Sequence, residues 1–306
     1  MRTTHFHGVY PYLVTPLTEG GKLDEDAVER QVRRCITAGV HGLTPLGSSG
    51  ELPLVPQRVR DDMVRAVVDI ARGVVPVFAG VGAFDVRTGV EAAESAEDAG
   101  ADGIVAVLFS YFPLIGPEAV AYFSAIARAV TLPVVIYYHP QFCGFELSSA
   151  DATALAETEN IRFVKDASGQ IANIPKWRAA TGDAIGVFAS TSFSPTAAML
   201  LGAVGWMSGP ATVLPAASAA IYRLCREQRW AEAVTLERIV EPLLGAFRKH
   251  GPARTVKACL RVQGLDAGAA IAPLADLSPT ELAELGAVCR SVTSQLEAAG
   301  VVEPPV

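Results

Sequence analysis

The fold is indicated most directly by residues 161–169, which read IRFVKDASG. The first four residues form a mostly apolar, strand-like run, and a small polar turn follows Lys165 at once. Near-continuous apolar runs of this kind are typical of strands that are covered on both faces of a parallel sheet. Helical spacing resumes at residues 171–180. The stretch therefore predicts one strand–turn–helix unit.

The same unit recurs along the chain. Strand-like runs are predicted at residues 8–15, 40–46, 75–79, 103–108, 133–138, 161–165, 184–189 and 205–208. Helical patterns separate them, and pairs such as Ala99-Gly100 end a helix just before the next strand. Eight such units predict a closed (β/α)₈ TIM barrel. A doubly wound open sheet is the alternative, and it is disfavoured because no GxGxxG follows the first strand.

The length of 306 residues fits one barrel or two smaller domains. Residues 226–298 show helical patterns with no strand between them. We therefore predict a barrel over residues 1–225 and a C-terminal helical extension over residues 226–306 that packs on it. The last six residues are expected to form a loose tail.

Composition excludes several classes of protein. Apolar residues make up 50% of the chain and charged residues 19%, which argues against disorder. The net charge of −7 and the absence of a basic run argue against a nucleic-acid partner. No apolar stretch reaches the roughly 20 residues that a membrane helix needs. Five scattered cysteines without a CxxC motif, and an N-terminus without a secretory signal, predict a cytoplasmic protein with reduced thiols.

Lys165 is the residue with the most specific chemical potential. It is the one lysine of the five in the chain that ends an apolar run of strand length. A lysine at the mouth of a packed strand loses hydration, which lowers its pKa. A neutral amine can attack a carbonyl group and form a Schiff base. The alternative is a structural lysine whose stem packs while its ammonium group reaches water.

Active sites of such barrels lie where the strands end. The predicted strand ends carry Gly47-Ser48-Ser49-Gly50-Glu51 after the second strand, Gly80-Val81-Gly82 after the third, Ser110-Tyr111 after the fourth, Tyr137-Tyr138-His139 after the fifth and Lys165 after the sixth. No cluster of carboxylates or histidines fit for a divalent metal occurs among them, and no phosphate-binding loop is present. The pattern predicts metal-free carbonyl chemistry with no cofactor.

Two of these strand ends have a specific expected use. The phenol of Tyr137 suits a general acid and base beside an imine. The Ser48–Ser49 turn, with its backbone N–H groups at the start of the next helix, suits a carboxylate. The alternative for that turn is a helix cap, and Glu51 is expected to be structural, bonding backbone or hydroxyl groups near it.

The chain resembles the dihydrodipicolinate synthase / N-acetylneuraminate lyase family of Schiff-base-forming pyruvate lyases and aldolases. The resemblance runs from residue 8 to about residue 265 and rests on four motifs together. These are PYLVTP at residues 11–16, GSSGE at residues 47–51, Leu132-Pro133 leading to Tyr137, and VKDASG at residues 164–169.

This resemblance implies that Lys165 forms the Schiff base with pyruvate or another 2-keto acid and that Tyr137 handles protons beside it. It also implies that the Gly47–Ser49 turn holds the keto acid, with Ser48 as a catalytic hydroxyl and Ser49 on the carboxylate. Gly80 and Met207 stand at pocket-lining positions. Tyr111, or Ser110 if the register differs by one residue, stands where the synthases extend a tyrosine into a neighbouring subunit. The resemblance further implies a homo-oligomer, a tetramer or a dimer.

The segment after Tyr137 departs from the synthase pattern. Residues 137–144 read YYHPQFCG, so Phe142 stands where synthases carry an arginine. An apolar ring cannot replace a bidentate guanidinium group on a carboxylate, so aspartate semialdehyde is a doubtful second substrate. Tyr138 and His139 are distinctive residues that we place among the candidate contacts of a different second substrate. His139 suits either a hydrogen bond to that substrate or proton donation, and the alternative is a structural histidine beside Pro140.

The leading hypothesis is thus a class I lyase, either an aldolase or a dehydratase, acting on a 2-keto acid. A hydro-lyase or aldolase for a sugar acid or an aromatic keto acid is the first alternative, and a genuine 4-hydroxy-tetrahydrodipicolinate synthase is the second. A keto-acid-binding regulatory relative without catalysis is the alternative from another class. The sequence offers it no support, because the lysine, the tyrosine and the hydroxyl turn all remain.

Overall fold

The computed structural model describes residues 6–190 and 194–305. Within them the strands are β1 (Gly8–Pro11), β2 (Phe78–Ala83), β3 (Gly103–Leu108), β4 (Val134–Tyr138), β5 (Ile161–Asp166), β6 (Gly186–Ala189) and β7 (Gly205–Ser208). The helices are α1 (Glu25–Thr37), α2 (Gln57–Ala71), α3 (Val86–Asp98), α4 (Gly116–Ala129), α5 (Pro140–Cys143), α6 (Ser149–Ala156), α7 (Asn173–Thr181), α8 (Pro195–Leu200), α9 (Pro210–Val213), α10 (Pro215–Arg226), α11 (Trp230–His250), α12 (Pro252–Val262) and α13 (Pro279–Ala298). Two 3₁₀ turns, Ser48–Gly50 and Leu52–Leu54, precede α2.

The chain divides into two compact units, of which the central one comprises residues 78–206 and the described residues 6 and 7. In this unit β2 to β6 and the start of β7 pair in parallel, in the order of the sequence. Nearly every residue of these strands is buried, as a sheet covered on both faces requires. The predicted α/β class with a parallel sheet is confirmed.

The pairing of β4 with β5 sets the geometry of the candidate site. Tyr137 lies opposite Lys165, and Tyr138 lies opposite Asp166. The register shifts between Val134 and Val135, so that Arg162 is an extra residue in β5. Because successive side chains of a strand point to opposite faces, Lys165 and Tyr137 share one face and Asp166 and Tyr138 share the other.

The second, terminal unit comprises residues 8–77 and 207–305. Here β1 lies beside the end of β7, and the N–H of Tyr12 donates to the carbonyl of Ser208 at 3.0 Å. Helices α10, α11, α12 and α13 pack on one another in this unit, and α12 also packs on the Ser48–Gly50 turn. The division between a barrel at residues 1–225 and a helical extension at residues 226–306 stays a prediction.

The predicted second strand at residues 40–46 is not a regular strand. Only two isolated parallel bridges occur there, Tyr12 with Thr44 and Leu43 with Val77. Pro45 has no N–H to donate, and Leu46 takes a left-handed backbone conformation with φ of 61°. A ladder cannot continue through these two residues, so the described part of the chain contains seven strands and not the eight predicted.

The tail that was expected to be loose is anchored. The carboxylate of Glu303 accepts the backbone N–H groups of Ala216 at 2.9 Å and Ala217 at 2.8 Å, at the start of α10. The guanidinium group of Arg34 donates to the carbonyl of Pro304 at 3.1 Å. A carboxylate at a helix N-terminus satisfies N–H groups that have no partner within the helix, which explains the attachment.

Candidate active site

Lys165 ends the apolar part of β5 and is 5% exposed. Burial lowers its pKa to about 7, because a charged ammonium group is disfavoured away from water. The nearby Asp166 and Cys143 oppose this effect and raise the pKa, but burial dominates. A substantial fraction of the amine is therefore neutral at neutral pH, as a nucleophile requires.

Tyr137 is the partner of Lys165 across the sheet. The amine nitrogen lies 4.3 Å from the centroid of the Tyr137 ring. Both side chains are buried, and their residues are paired directly between β4 and β5. The structure thus brings the predicted nucleophile and the predicted proton carrier together on one face of the sheet.

Asp166 fixes the turn behind Lys165. It is fully buried, and its carboxylate accepts the backbone N–H of Ser168 at 2.9 Å, the Ser168 hydroxyl at 2.6 Å and the indole N–H of Trp177 at 3.1 Å. These bonds tie the end of β5 to α7 on the face opposite the amine. Sequence analysis missed this role, since an aspartate and a tryptophan 11 residues apart form no recognisable motif.

His139 and Phe142 continue outward from Tyr137 as a series of nearly parallel rings. The ring centroids of Tyr137 and His139 lie 6.1 Å apart with an interplanar angle of 16°, and those of His139 and Phe142 lie 3.9 Å apart at 12°. Phe142 is 71% exposed, so the series runs from the buried amine to solvent.

The imidazole of His139 is held neutral. Its pKa is lowered to about 4, first by burial and then by the charge of Lys165. Its Nδ1 atom is buried, and no group in the described part of the chain forms a hydrogen bond with it. A neutral imidazole presents one donor and one acceptor nitrogen, so this side chain can bind a polar, uncharged group.

Tyr138 is not brought to the same face as Tyr137. Its ring packs edge-on against Trp177 at 5.9 Å and near Phe145 at 6.2 Å, and it lines a surface cavity of about 370 Å³ between α6 and α7. Burial raises the pKa of its phenol. The predicted contact of Tyr138 with substrate stays a prediction, and the strand alternation explains why its side chain points away from Lys165.

Tyr111 lies in the loop after β3 and is 86% exposed. Its ring contacts that of Phe112 edge-on at 5.2 Å. The hydroxyl of the neighbouring Ser110 donates to the carbonyl of Phe112 within the same loop. Which of Tyr111 and Ser110 could serve a neighbouring subunit stays open.

Cys143 lies near the amine but is not a reactive thiol. It is buried, and burial raises its pKa to about 11. A thiol with this pKa is almost entirely protonated at neutral pH, and the thiolate is the reactive form.

The predicted hydroxyl turn belongs to the terminal unit. Ser48, Ser49 and Gly50 form a 3₁₀ turn that follows Gly47, and α2 begins only at Gln57. The expectation that the backbone N–H groups of Ser48 and Ser49 stand at the start of the next long helix is therefore wrong, because they open a short 3₁₀ turn. Ser48 is exposed, whereas Ser49 is buried.

Glu51 has the structural role expected of it. Its carboxylate accepts the backbone N–H of Ile271 at 2.7 Å and forms an ion pair with Lys257 at 2.5 Å. Lys257 was missed from the sequence, because nothing in the local pattern of α12 marks a partner more than 200 residues away.

Gly80 and Met207, the predicted lining residues, are both in strands. Gly80 is buried within β2, where it pairs with Val105 of β3, and so does not lie in the loop that we expected after the strand. Met207 is fully buried within β7. Their contacts with a substrate stay predictions.

Clusters of metal-binding side chains and membrane-spanning helices are both absent from residues 6–190 and 194–305. No group of three or more histidine, cysteine, aspartate or glutamate side chains there could hold a metal ion. None of the helices in those residues has the length and apolar character needed to cross a membrane.

Comparison with known proteins decides the family. Residues 5–291 match the dihydrodipicolinate synthetase family. The chain belongs to this family. The predicted resemblance is confirmed, and all four motifs that carried it lie within the matched residues.

Individual members of the dihydrodipicolinate synthetase family resemble the chain over nearly its whole length. An uncharacterized DapA-like lyase of Halobacterium salinarum is 37% identical over 287 residues, which cover 92% of each chain. The 4-hydroxy-tetrahydrodipicolinate synthase of Acidiphilium cryptum is 31% identical and covers 92% of this chain and 97% of its own. The solved structure of YagE, a prophage protein of this family from E. coli K12 in complex with pyruvate, has a TM-score of 0.88 at 26% identity, covering 97% of this chain and all of that one (100%). The chain is thus a member of a lyase family with the parallel α/β fold of these relatives.

Proposed function

We propose that the protein is a Schiff-base-forming lyase that acts on pyruvate or another 2-keto acid, with Lys165 as the nucleophile. The observation that carries this proposal is the buried amine with its pKa lowered to about 7, at the end of β5 and 4.3 Å from the ring centre of Tyr137. The pyruvate complex of the similar prophage protein supports pyruvate as the substrate class.

The chemistry follows from the two side chains. The neutral amine of Lys165 adds to the keto carbon, and the resulting carbinolamine loses water to form an imine. Tyr137 donates a proton to the departing hydroxyl group and takes one back as the phenolate. In aldol cleavage the phenolate takes the proton of the substrate hydroxyl group, the electron pair of the neighbouring C–C bond moves to the protonated imine, and the enamine that forms is protonated back to an imine as the aldehyde leaves. In dehydration the phenolate takes the proton beside the imine carbon, and the electron pair of the resulting enamine expels the neighbouring hydroxyl group as water. Water finally hydrolyses the imine and releases the keto acid.

We assign the binding of the substrate carboxylate to Ser48 and Ser49, on the basis of the family motif GSSGE at residues 47–51. The hydroxyl groups of this turn can donate hydrogen bonds to an anion, with Gly47 at its entrance. Gly80 and Met207 are proposed as lining residues on the same basis. The proposal includes no cofactor and no metal.

The second substrate, or the leaving fragment, is proposed to be uncharged at the end distant from the keto acid. A neutral His139 and an apolar Phe142 offer hydrogen bonds and ring contacts but no positive charge for a carboxylate. A 2-keto-3-deoxy sugar acid, cleaved by aldol chemistry or dehydrated, has such an uncharged hydroxylated end. A genuine 4-hydroxy-tetrahydrodipicolinate synthase is the second candidate, and the synthase that is 31% identical favours it.

Further properties are proposed on the resemblance. These are a closed barrel of the TIM type, in which residues 40–46 occupy the second position without a regular strand, a cytoplasmic location and a homotetramer or homodimer in which Tyr111 reaches a neighbouring subunit. A keto-acid-binding regulatory relative is the non-enzyme alternative. Binding without turnover across a broad panel of keto acids would favour it.

Reduction with borohydride in the presence of pyruvate tests the proposal. The imine should be trapped as a stable adduct, and peptide mass spectrometry should place that adduct on Lys165. Lys165→Ala should acquire none, whereas Lys176→Ala, which removes a surface lysine, should be labelled normally. Absence of labelling in the native protein, or labelling of the Lys165→Ala variant, would refute it.

A further inference from the structure

A buried ion pair lies at the end of the hydroxyl turn formed by Ser48–Gly50. Lys257 of α12 is 1% exposed and Glu51 is 2% exposed, and their charged atoms lie 2.5 Å apart. The ammonium group of Lys257 also donates to the carbonyl of Ala269 at 2.7 Å, and the second oxygen of Glu51 accepts the N–H of Ile271 at 2.7 Å. Each charge therefore has an ionic partner and a backbone partner.

Glu51 follows the turn directly and constrains its backbone. It takes a left-handed conformation with φ of 56°, which non-glycine residues seldom adopt unless their surroundings hold them there. The peptide bond that joins Gly50 to Glu51 is fixed as well, since the hydroxyl of Thr15 donates to the carbonyl of Gly50 at 2.7 Å. A Cβ atom added at Gly209 would lie 2.3 Å from the Ser49 hydroxyl, so Ser49 has no room to move in that direction.

The charge of Glu51 raises an electrostatic problem for an anion-binding turn. A buried carboxylate one residue beyond Gly50 repels an incoming carboxylate, and this repulsion is strong where little water screens it. A positive charge in direct contact with Glu51 cancels the repulsion while leaving the carboxylate free to hold the backbone of Ile271. Lys257 is placed to do so.

We infer that Lys257 is a positioning residue for substrate binding. It neutralises Glu51 and keeps the Ser48–Ser49 turn receptive to the carboxylate of the 2-keto acid. This inference rests on the proposed function. It assigns to helix α12 a part in substrate affinity, separate from the bond-breaking chemistry assigned to Lys165 and Tyr137.

A purely structural role for Lys257 makes a different prediction. Lys257 also tethers α12 to the segment that follows it, through Ala269. Arg261 on the same helix tethers the same segment, donating to the carbonyl of Gly268 at 3.2 Å and lying 3.4 Å from the carboxylate of Asp266. Arg261 forms no bond with Glu51 among the described contacts, so Arg261→Met is a matched control for loss of the tether alone.

The experiment measures borohydride trapping of pyruvate as a function of pyruvate concentration. Lys257→Met should raise the half-saturating concentration by roughly tenfold or more, because an uncompensated buried charge then faces the bound carboxylate. The maximal extent of labelling at Lys165 should be unchanged, which is the pattern for lost binding without lost chemistry. Arg261→Met should leave the half-saturating concentration at the native value.

A double variant tests the charge argument itself. Glu51→Gln combined with Lys257→Met removes both charges and keeps an acceptor for the N–H of Ile271, so it should recover much of the affinity lost in Lys257→Met. Equal half-saturation in Lys257→Met and the native protein, an equal increase in Arg261→Met, or no recovery in the double variant would each overturn the inference. Failure of the native protein to be labelled would overturn the proposed function instead.

Glu51→Gln alone covers the case in which Lys257→Met does not fold. The remaining ammonium group then faces the turn without a compensating carboxylate, so affinity for pyruvate should stay the same or increase. A merely structural ion pair predicts the opposite, a loss of affinity when the pair is broken. A fall in affinity would therefore contradict the electrostatic role.

Discussion

The amine nitrogen of Lys165 lies 4.3 Å from the centroid of the Tyr137 ring, and the two residues are direct partners across β4 and β5. The contact is thus fixed by backbone pairing and does not depend on a mobile loop. Burial sets the pKa of the amine and backbone pairing sets its neighbour, so the proposed nucleophile and the proposed proton carrier are already side by side in the protein without substrate.

The pH dependence of imine formation should report the lowered pKa of Lys165. The folded pKa of about 7 lies below the ordinary value of 10.5, so the neutral amine becomes the major form as the pH rises through 7. Trapping of pyruvate by borohydride at a fixed subsaturating concentration should therefore rise between about pH 6 and pH 8 and then level off. A midpoint near 10 would show that the amine is hydrated and would contradict the site geometry.

Asp166→Asn should move that midpoint to lower pH. The negative charge of Asp166 raises the pKa of Lys165, so its removal leaves the effect of burial less opposed. The variant should also lose about 1–3 kcal/mol of unfolding free energy, because the amide cannot accept all the hydrogen bonds that the carboxylate accepts from Ser168 and Trp177. Trapping against pH and urea denaturation measure the two effects. Asp183→Asn changes an exposed aspartate on the α7–β6 loop and should alter neither the midpoint pH nor the unfolding free energy. A shift of the midpoint to higher pH in Asp166→Asn would contradict the effect assigned to the Asp166 charge.

Phe142→Arg should change the preference for the second substrate. A guanidinium group beside His139 would supply the positive charge that the native ring lacks. The value of kcat/KM for an aldehyde that bears a carboxylate should therefore rise relative to the value for an uncharged aldehyde. One charge-assisted bidentate bond should raise this ratio by about tenfold or more. Condensation with pyruvate measures this ratio for aspartate semialdehyde and glyceraldehyde. Phe112→Arg is the matched control, since Phe112 and Phe142 are both 71% exposed. An equal gain in both variants would indicate a general effect of added charge.

Glu303→Ala should destabilise the protein. It leaves the N–H groups of Ala216 and Ala217 without their acceptor at the start of α10, a loss typical of a removed helix cap, about 0.5–2 kcal/mol. Urea denaturation provides the measurement. Glu297→Ala, in the exposed last turn of α13, should have an effect within about 0.5 kcal/mol of zero. Equal stability of the two variants would mean that the tail contributes nothing.

The sequence predicted Lys165 and Tyr137 because each lies at the end of an apolar run, and the two-residue period of a strand is a local property. The two-residue period also places Tyr138 on the face of the sheet opposite Tyr137, and the prediction that Tyr138 contacts substrate did not take this into account. The roles of Lys257 and Trp177 could not be predicted from the sequence. Lys257 pairs with Glu51 and Trp177 bonds to Asp166, and in each case only the folded structure brings the two residues together.

Strands β3 to β7 lie close to their predicted positions, whereas the strand predicted at residues 75–79 shares only residues 78 and 79 with β2 and the strand predicted at residues 8–15 ends at Pro11. Two other departures have local causes. Residues 40–46 have strand-like composition, but Pro45 and the left-handed Leu46 interrupt the ladder. The proline-rich tail has the composition of a loose end, yet Glu303 and Arg34 attach it. In both places one or two residues override the composition of the segment.

The extra residue Arg162 has a consequence for any comparison of related chains. If Arg162 were instead paired regularly with Val135, Lys165 would lie beside Tyr138 and Tyr137 would have the apolar Val164 as its neighbour. The irregularity at Arg162 is therefore what sets Lys165 opposite Tyr137 in a chain of this length, and regular pairing would separate the two side chains while every strand remained intact. A relative one residue shorter at this point would keep the same pair through regular pairing, so a one-residue gap in an alignment here would mark a change in the backbone and no change in which side chains meet.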